Sequence, residues 1–392
     1  MKTSTKQAWF YDPWIVWSTV GLVLLGLLLV ASASLVISDK QYGYPFHYVL
    51  RQAVFLWVGI GAAWIATRIP MSTWFRASGY ILLGCLVLLA LVLVPGIGHI
   101  VNGSRRWLGI SVFSFQVSEF AKLSAILYLS SYLVRFDRDV KQTFVGFLKP
   151  TIVLGILACL LLLEPDFGAI VVIASTFMVL LFMAGVRLRI FILLVGVMAI
   201  GLGILAVIAP YRMARLTGFL NPWAAPYGSG YQLTQSLIAF GRGGFWGMGL
   251  GNSVQKLFYL PEAHTDFVFA VLGEELGVIG CVVLLALMAM WVGRAFWLGI
   301  TSVRQEQLYA AYVAYGLGWW VAMQTCVNVG VNVGVLPTKG LTLPLVSYGG
   351  TSLLMHCIAA GILLRIAYEC TLQHNAWPVR SQVILPQKRK SQ

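Results

Sequence analysis

Charge is what this sequence has least of. Only 10% of its 392 residues are Asp, Glu, Lys or Arg, and the acids number just 13. That scarcity excludes an ordinary soluble domain, in which about a quarter of residues are charged. Cysteine is sparse as well: Cys85, Cys159, Cys281, Cys326, Cys357 and Cys370 lie in or at the ends of apolar runs, with no C-x-x-C pair among them. Neither a disulfide framework nor a zinc site is indicated, and the cysteines read as packing residues.

What the chain has in abundance is apolar length. Hydrophobic residues make up 59% of it, and the mean hydropathy is +0.84. Runs of about 20 apolar residues recur, each long enough to cross about 30 Å of hydrocarbon as a helix. Ten such runs are found, which predicts an all-α polytopic membrane protein, a bundle of ten transmembrane helices with no soluble domain. Residues 1–13 read as a cytoplasmic segment, 14–372 as the membrane domain and 373–392 as a basic tail. The net charge of +14 follows membrane orientation rather than nucleic acid. With a cytoplasmic N-terminus, roughly 17 of the 27 Lys and Arg fall on the cytoplasmic side, the positive-inside bias, and both termini are inside. The run Lys388-Arg389-Lys390 then lies at an anionic inner leaflet or serves as a binding arm. Ala31-Ser32-Ala33 resembles a signal-peptidase site, but the apolar run around it is too long for a signal peptide and is read as a retained first helix.

The few acids are unevenly placed. Asp266, Glu274 and Glu275 all fall in LPEAHTDFVFAVLGEELG, Leu260 to Gly277, where a polar loop turns at His264-Thr265-Asp266 into an apolar helix. Carboxylates inside such a helix are costly in hydrocarbon, so they face a cavity or a partner and mark function by default. Asp266 is the first candidate for chemistry; as a bare N-cap it would need no reaction at all. At 1.5 Å and 100° per residue, Glu274 lies about 12 Å deeper than Asp266 and about 80° around the helix, and Glu275 about 180° around. These glutamates therefore do not pair with Asp266 as acid and base on one face. They are expected to hold the site together, one of them meeting Lys122 across a helix interface.

Other polar residues gather on the same side of the predicted bundle. The one long loop, residues 210–265 between the seventh and eighth helices, lies outside and contains a segment, Tyr231 to Phe240, that reads as an amphipathic helix. Glycines at 241, 243, 244, 247, 249 and 251 surround Arg242, with Lys256 just beyond. Their backbone N–H groups can cradle phosphate, or the glycines can serve conformational freedom alone. Arg105 and Arg106 beside Trp107 read either as interfacial anchors or as the lining of a polar cavity. Glu119 and Lys122 form an i,i+3 pair that can neutralise itself. Glu164 and Asp166 flank Pro165, where they can cap a helix, ligate a cation or meet the outer arginines. Gln324, Asn328 and Asn332, spaced by four, make a polar stripe of the kind that glues membrane helices together. The irregular stretch 336–351 reads as re-entrant, tolerable at membrane depth only when buried in protein or lining a wet cavity.

Taken together, YQLTQSLIAFGRGGFWGMGLGNSVQKLFYLPEAHTDFVFAVLGEELG, ending at Gly277, and NVGVNVGVLPTKGLTLPLVSYGGTSLL, ending at Leu354, resemble the SEDS family of membrane peptidoglycan polymerases. The resemblance runs from the first helix to the last, and the PTKGLT form at 337–342 is similar to cell-division members rather than elongation members. It implies a ten-span glycosyltransferase that joins lipid II into β-1,4 glycan outside the bacterial cytoplasmic (inner) membrane during septal wall synthesis. The catalytic aspartate it implies falls on Asp266. Arg106, Glu119 and Lys122 match family charged positions, and Arg242, Lys256, His264, Lys339 and Ser347 are further candidates for substrate binding. Its implied partners are lipid II and nascent glycan, a monofunctional class B transpeptidase (penicillin-binding protein), other division proteins and membrane lipids. Val117, Ala169 and Thr351 depart from the family's usual proline, threonine and serine.

Glycosyl transfer needs a base for an attacking hydroxyl and charge compensation for a departing pyrophosphate. Asp266 can supply the first, though a carboxylate at a helix N-terminus among cations is held as a weak base. Alternatively it holds a divalent cation, Mg²⁺ or Mn²⁺, that bridges the pyrophosphate; no organic cofactor is expected. A lipid II flippase is the rival reading, since charged membrane residues and broken segments also occur in transporters.

Overall fold

The computed structural model describes residues 12–101, 104–110, 113–208, 213, 218–338 and 340–382. Lys339 and the basic run Lys388-Arg389-Lys390 lie outside the described residues. The chain opens on α1 (Pro13–Tyr42), whose start is fixed by Asp12: its carboxylate accepts from the amides of Trp14 and Ile15, and proline occupies the first turn. Gly43, with φ of +65°, closes the helix in the left-handed conformation that only glycine adopts cheaply. Then come α2 (His47–Arg68) and α3 (Met71–Leu93). The signal-like Ala31-Ser32-Ala33 thus lies within one continuous helix.

The segment between α3 and α4 (Val117–Arg135) folds as a three-stranded antiparallel sheet, β1 (His99–Val101), β2 (Ser104–Ile110) and β3 (Phe113–Gln116), in that order. Trp107 pairs with Gln116 and Leu108 with Phe115. The alternation in RWLGI and FSFQ carries this period of two, but in strands short enough to be lost among apolar helices. Next follow α5 (Asp137–Gln142), α6 (Phe144–Leu163), α7 (Phe167–Met183) and α8 (Leu188–Ile208). The amphipathic helix expected in the long loop is α9 (Tyr231–Gly243), and α10 (Val268–Arg304), α11 (Leu308–Asn332) and α12 (Gly350–Gln382) complete the bundle.

Six helices among the described residues are long and apolar enough, by length and composition, to cross a membrane: α1, α2, α3, the body of α6, α10 and the first part of α12. Of the other long helices, α4 and α11 lie inside the bundle, where polar residues find partners. Trp291 of α10 and Trp320 of α11 are fully buried between neighbouring helices. Close approach is made by small residues. Gly59 of α2 lies against Cys357, Gly361 of α12 against Ala63, and Gly26 of α1 against Val346. The last contact places the 343–346 segment alongside the middle of the 30-residue α1. Irregular backbone there is buried in protein, as membrane depth requires.

One end of the bundle carries the sheet, the Glu164-Pro165-Asp166 turn, α9 with the loop that follows it, and the 333–349 segment. Gln116 N–H of β3 donates to Thr351 Oγ1 at 3.0 Å. Gln52 of α2 donates to Ser347 O at 3.2 Å. These bonds tie β3 and α2 to the 347–351 stretch that leads into α12.

Candidate active site

Asp266 stands in a turn just ahead of α10, which begins only at Val268. The residue is half-buried. Its backbone is held from α11: Asn328 Nδ2 and Asn332 Nδ2 donate to Asp266 O at 2.9 and 3.0 Å. Asn332 Oδ1 in turn accepts from Ala270 N–H at 3.1 Å, satisfying one of the amides that a helix start leaves unpaired. Asn328 Nδ2 also donates to Leu341 O at 2.7 Å, which draws the 336–342 segment against the turn. Gly340 lies so near that a methyl group there would sit 3.0 Å from Asp266 Oδ2. The polar stripe of α11 is therefore more than interhelical glue: it fixes the backbone from which the Asp266 carboxylate projects.

The stripe continues to a buried ion pair. Lys122 Nζ donates to Glu119 Oε1 at 2.6 Å and to Gln324 Oε1 at 2.9 Å. Gln324 Nε2 donates to Thr342 O at 2.9 Å, and the Lys122 ammonium lies 5.5 Å from the Trp320 ring centroid. A chain of bonds thus runs from Glu119 through α11 to the same segment that packs on Asp266. The expected pairing of Lys122 with Glu274 or Glu275 does not occur. A helical wheel gives the face on which a residue lies but not its neighbour, and the neighbour on that face is the loop after α9.

That loop explains the glutamates. Glu274 accepts from Ser253 Oγ at 2.5 Å, from the amides of Val254 and Gln255 at 3.1 and 3.2 Å, and faces Arg242 at 3.4 Å. Glu275 pairs with Lys256 at 2.7 Å and accepts from Ser32 Oγ of α1 at 2.6 Å. Backbone joins in, with Met248 N–H donating to Glu274 O and Gly249 N–H to Glu275 O. At Gly277, where φ is +64° and ψ is −160°, α10 is broken, and Val278 N–H donates to Gly244 O. A Cβ at Gly243 would overlap the Gly273 carbonyl, and one at Gly247 the Glu275 carbonyl. Those glycines serve close backbone approach, and of the glycine amides that were candidates to cradle phosphate, those of Gly244, Gly247 and Gly249 bond the protein's own carbonyls.

Arg106 of β2 donates from Nε to Glu164 O at 2.8 Å and from Nη2 to Pro165 O at 2.6 Å, so it grips the turn's carbonyls rather than its carboxylates. Asp166 caps α7 through Ala169 N–H at 3.1 Å. Glu164 is fully buried, with neither carboxylate oxygen hydrogen-bonded. Burial, helped by the charge of Asp166 and opposed by Arg106, raises its pKa from 4.5 to about 8. The folded protein then keeps a proton that the unfolded chain releases above pH 4.5, so this group's contribution to stability is full below about 4.5 and declines until about 8. Glu164→Gln is expected to flatten that decline, read as the thermal midpoint of purified protein between pH 5 and 9. Parallel profiles for the two proteins would contradict the assignment.

Tyr48 and Gln52 of α2, which the sequence did not single out, stand beside His264 and Ser347. His264 is buried between Tyr48 and Tyr348, with ring centroids 4.7 and 5.5 Å away, and its carbonyl accepts from Tyr348 N–H at 2.9 Å. Burial lowers the His264 pKa, keeping it neutral at pH 7. Tyr48 gave no sequence signal, being an aromatic at the end of an apolar run. Gln52, an amide inside an apolar helix, did offer one. Ser347 is buried, its hydroxyl accepting from Leu343 N–H at 2.8 Å within the re-entrant segment. Asp266, Gly340, Asn328, Asn332 and His264 thus come together at one rim. Glu119 and Lys122 connect to it through Gln324, while Arg242 and Lys256 are engaged on the flank by Glu274 and Glu275.

Fold and site define a polytopic helical membrane protein in which two asparagines clamp the backbone carbonyl of Asp266. The chain belongs to the FtsW/RodA/SpoVE family of cell cycle proteins, whose pattern matches residues 13–372. It is 58% identical over 94% of its length to a probable peptidoglycan glycosyltransferase FtsW of Coxiella burnetii, 99% of which is covered. A Legionella pneumophila protein of the same description is 54% identical over 94% of this chain and 93% of its own length. Among solved structures, a chain from a peptidoglycan synthase complex that coordinates polymerization and crosslinking superposes with a TM-score of 0.76 at 29% identity, covering 92% of this chain and 98% of that one. The rod shape determining protein RodA of Thermus thermophilus gives a TM-score of 0.67 at 28% identity, covering 92% and 97%.

Proposed function

We propose that the protein is a peptidoglycan glycosyltransferase of the bacterial cytoplasmic membrane, polymerising lipid II into β-1,4 glycan for the division septum, with Asp266 as its catalytic carboxylate. The relatives' descriptions support the reaction class, and one observation supports the residue. Asp266 O is bonded by both Asn328 and Asn332, so a half-buried carboxylate is presented from a backbone that cannot drift. Catalytic groups need that kind of support from the residues behind them.

In the reaction the acceptor sugar hydroxyl loses its proton to Asp266 as its oxygen bonds to the donor's anomeric carbon. The bond from that carbon to the pyrophosphate oxygen breaks, and the lipid pyrophosphate departs with the electron pair. A positioned base contributes about 10² to 10⁴ in rate. Arg242, 40% of whose side chain stays exposed beside Glu274, is the cation assigned in this reading to the departing charge. Arg106 shapes the neighbouring turn; Glu119, Lys122 and Ser347 position the segments around Asp266; His264 walls the site as a neutral ring. Lys339 is a substrate-binding candidate by sequence alone. The described residues contain no cluster of three or more His, Cys, Asp or Glu. A divalent cation at Asp266 would take most of its other ligands from pyrophosphate oxygens and water, as Mg²⁺ does. Such an ion would supply charge neutralisation at the leaving group.

Ten spans with both termini cytoplasmic are the topology that the distribution of Lys and Arg favours, which puts the sheet-bearing rim in the periplasm. A transpeptidase bound in the membrane is the partner best supported, since a similar chain comes from a synthase complex. Lipid II flipping is the competing activity. Purified protein in vesicles with labelled lipid II separates the two: glycan strands are expected, whereas lipid II crossing the bilayer with no polymer formed would overturn the glycosyltransferase reading.

A further inference from the structure

Between Arg242 and Lys256 the chain carries no charged residue, and its level in the bundle is set by what it bonds. Met248 N–H donates to Glu274 O at 2.9 Å and Gly249 N–H to Glu275 O at 3.0 Å. The amides of Val254 and Gln255 donate to the Glu274 carboxylate, and that of Ser253 to Glu275 Oε1. Glu275 stands seven residues inside the start of α10, about 10 Å along the helix. The other flank gives the same depth. Ser32 Oγ donates to Glu275 Oε1 at 2.6 Å and accepts from Lys256 Nζ at 2.8 Å. Ser32 stands seven residues inside the exposed Asp39 near the end of α1, again about 10 Å. Val278 N–H, one residue past the break in α10, donates to Gly244 O, so the chain reaches further in still.

The side chains at this depth are apolar and uncovered. Phe245, Trp246, Met248 and Leu250 are exposed, and Asn252, the one exposed polar side chain of the stretch, turns its Nδ2 back onto Met248 O at 3.0 Å. Phe245 O accepts from Ile279 N–H at 3.5 Å, which joins this face to that of α10, where Val278, Ile279, Val282 and Val283 are exposed. Both α1 and α10 are long and apolar enough to cross a membrane. Irregular backbone is not tolerated in hydrocarbon unless protein satisfies its polar groups. Here Glu274 and Glu275 supply acceptors for five amides, and the amides of Gly244 and Gly247 fold back on Phe240 O and Gly243 O. That gives two carboxylates in an apolar helix a reason to be there: they are the partners of a backbone that water does not reach.

We propose that residues 244–255 form a re-entrant membrane segment, fastened at depth by Glu274 and Glu275, with Phe245, Trp246, Met248 and Leu250 lying against the acyl chains of the leaflet on the sheet-bearing side. Continuity with the exposed apolar face of α10 makes lipid the occupant rather than water or a second copy of the chain. This placement is independent of the reaction the protein catalyses.

Met248→Cys and Leu250→Cys, each carrying a bimane fluorophore, report the surroundings of the segment in the full-length protein, with the exposed Cys159 and Cys326 changed to serine. Both side chains are exposed, so the label displaces no packing. Val282→Cys on α10 is the lipid-facing reference and Asp39→Cys on α1 the water-facing one. In phospholipid vesicles, lipid brominated on its acyl chains is expected to quench the labels at 248 and 250 as strongly as at 282, while iodide on both sides of the membrane quenches only the label at 39. Stronger quenching by iodide than by brominated lipid at 248 and 250 overturns the proposal. Escape of both labels from both quenchers overturns it as well, because protein, such as a second copy of the chain, then covers the face.

Discussion

Asp266→Asn is expected to abolish glycan synthesis. The amide keeps the size of the carboxyl group but can neither take the acceptor's proton nor hold a cation against pyrophosphate, so the rate falls by about 10² to 10⁴ or more. The fold should not suffer, because Asn328 and Asn332 bond the backbone carbonyl of residue 266 and that carbonyl is unchanged by the substitution. A thermal midpoint close to the native value, together with loss of labelled polymer, is the expected pair of results. Polymer at the native rate would remove Asp266 from the chemistry. A large fall in the midpoint would instead mean that the carboxylate holds the turn together.

Lys122→Met is expected to bring the largest loss of stability. Glu119 is buried, and one of its oxygens already has no hydrogen-bond partner; without Lys122 the carboxylate becomes an uncompensated buried charge. Breaking such a pair costs about 3 to 5 kcal/mol. Gln324 loses a partner too, which loosens its hold on Thr342 O and the segment beside Asp266. The double variant Glu119→Leu with Lys122→Met removes both charges and should recover most of the lost stability, because apolar replacement of a whole buried pair is often neutral. Denaturation of the single and double variants in detergent measures both effects. Equal destabilisation in the two would show that the pair is not what holds these helices.

The contrast between the two variants illustrates how much was legible in the sequence. Apolar runs announced the membrane helices because the hydrocarbon demands them, and the i,i+3 spacing of Glu119 and Lys122 set a pair that the helix then forms at 2.6 Å. What stayed hidden was long-range pairing. Nothing local in Glu274 or Glu275 says that they fasten the loop after α9, 20 residues upstream in the case of Val254. The glycines around Arg242 looked like a phosphate cradle because glycine permits both exposed amides and close approach; only the contact of Gly247 with the Glu275 carbonyl decides between them. Gly277 looked like an interior helical residue, and its break in α10 depends on the loop that accepts the freed amides. The sheet was missed because its strands are 3, 7 and 4 residues long.

The central claim is that the Asp266 side chain faces the periplasmic side, in a space that the lipid-linked substrate enters. Asp266→Cys, made in a background with the exposed Cys159 and Cys326 changed to serine, reports this directly. In sealed right-side-out vesicles a membrane-impermeant maleimide should label position 266 from the outside, and lipid II should block the labelling. Labelling only from the cytosolic face, or labelling that lipid II does not slow, would contradict the account.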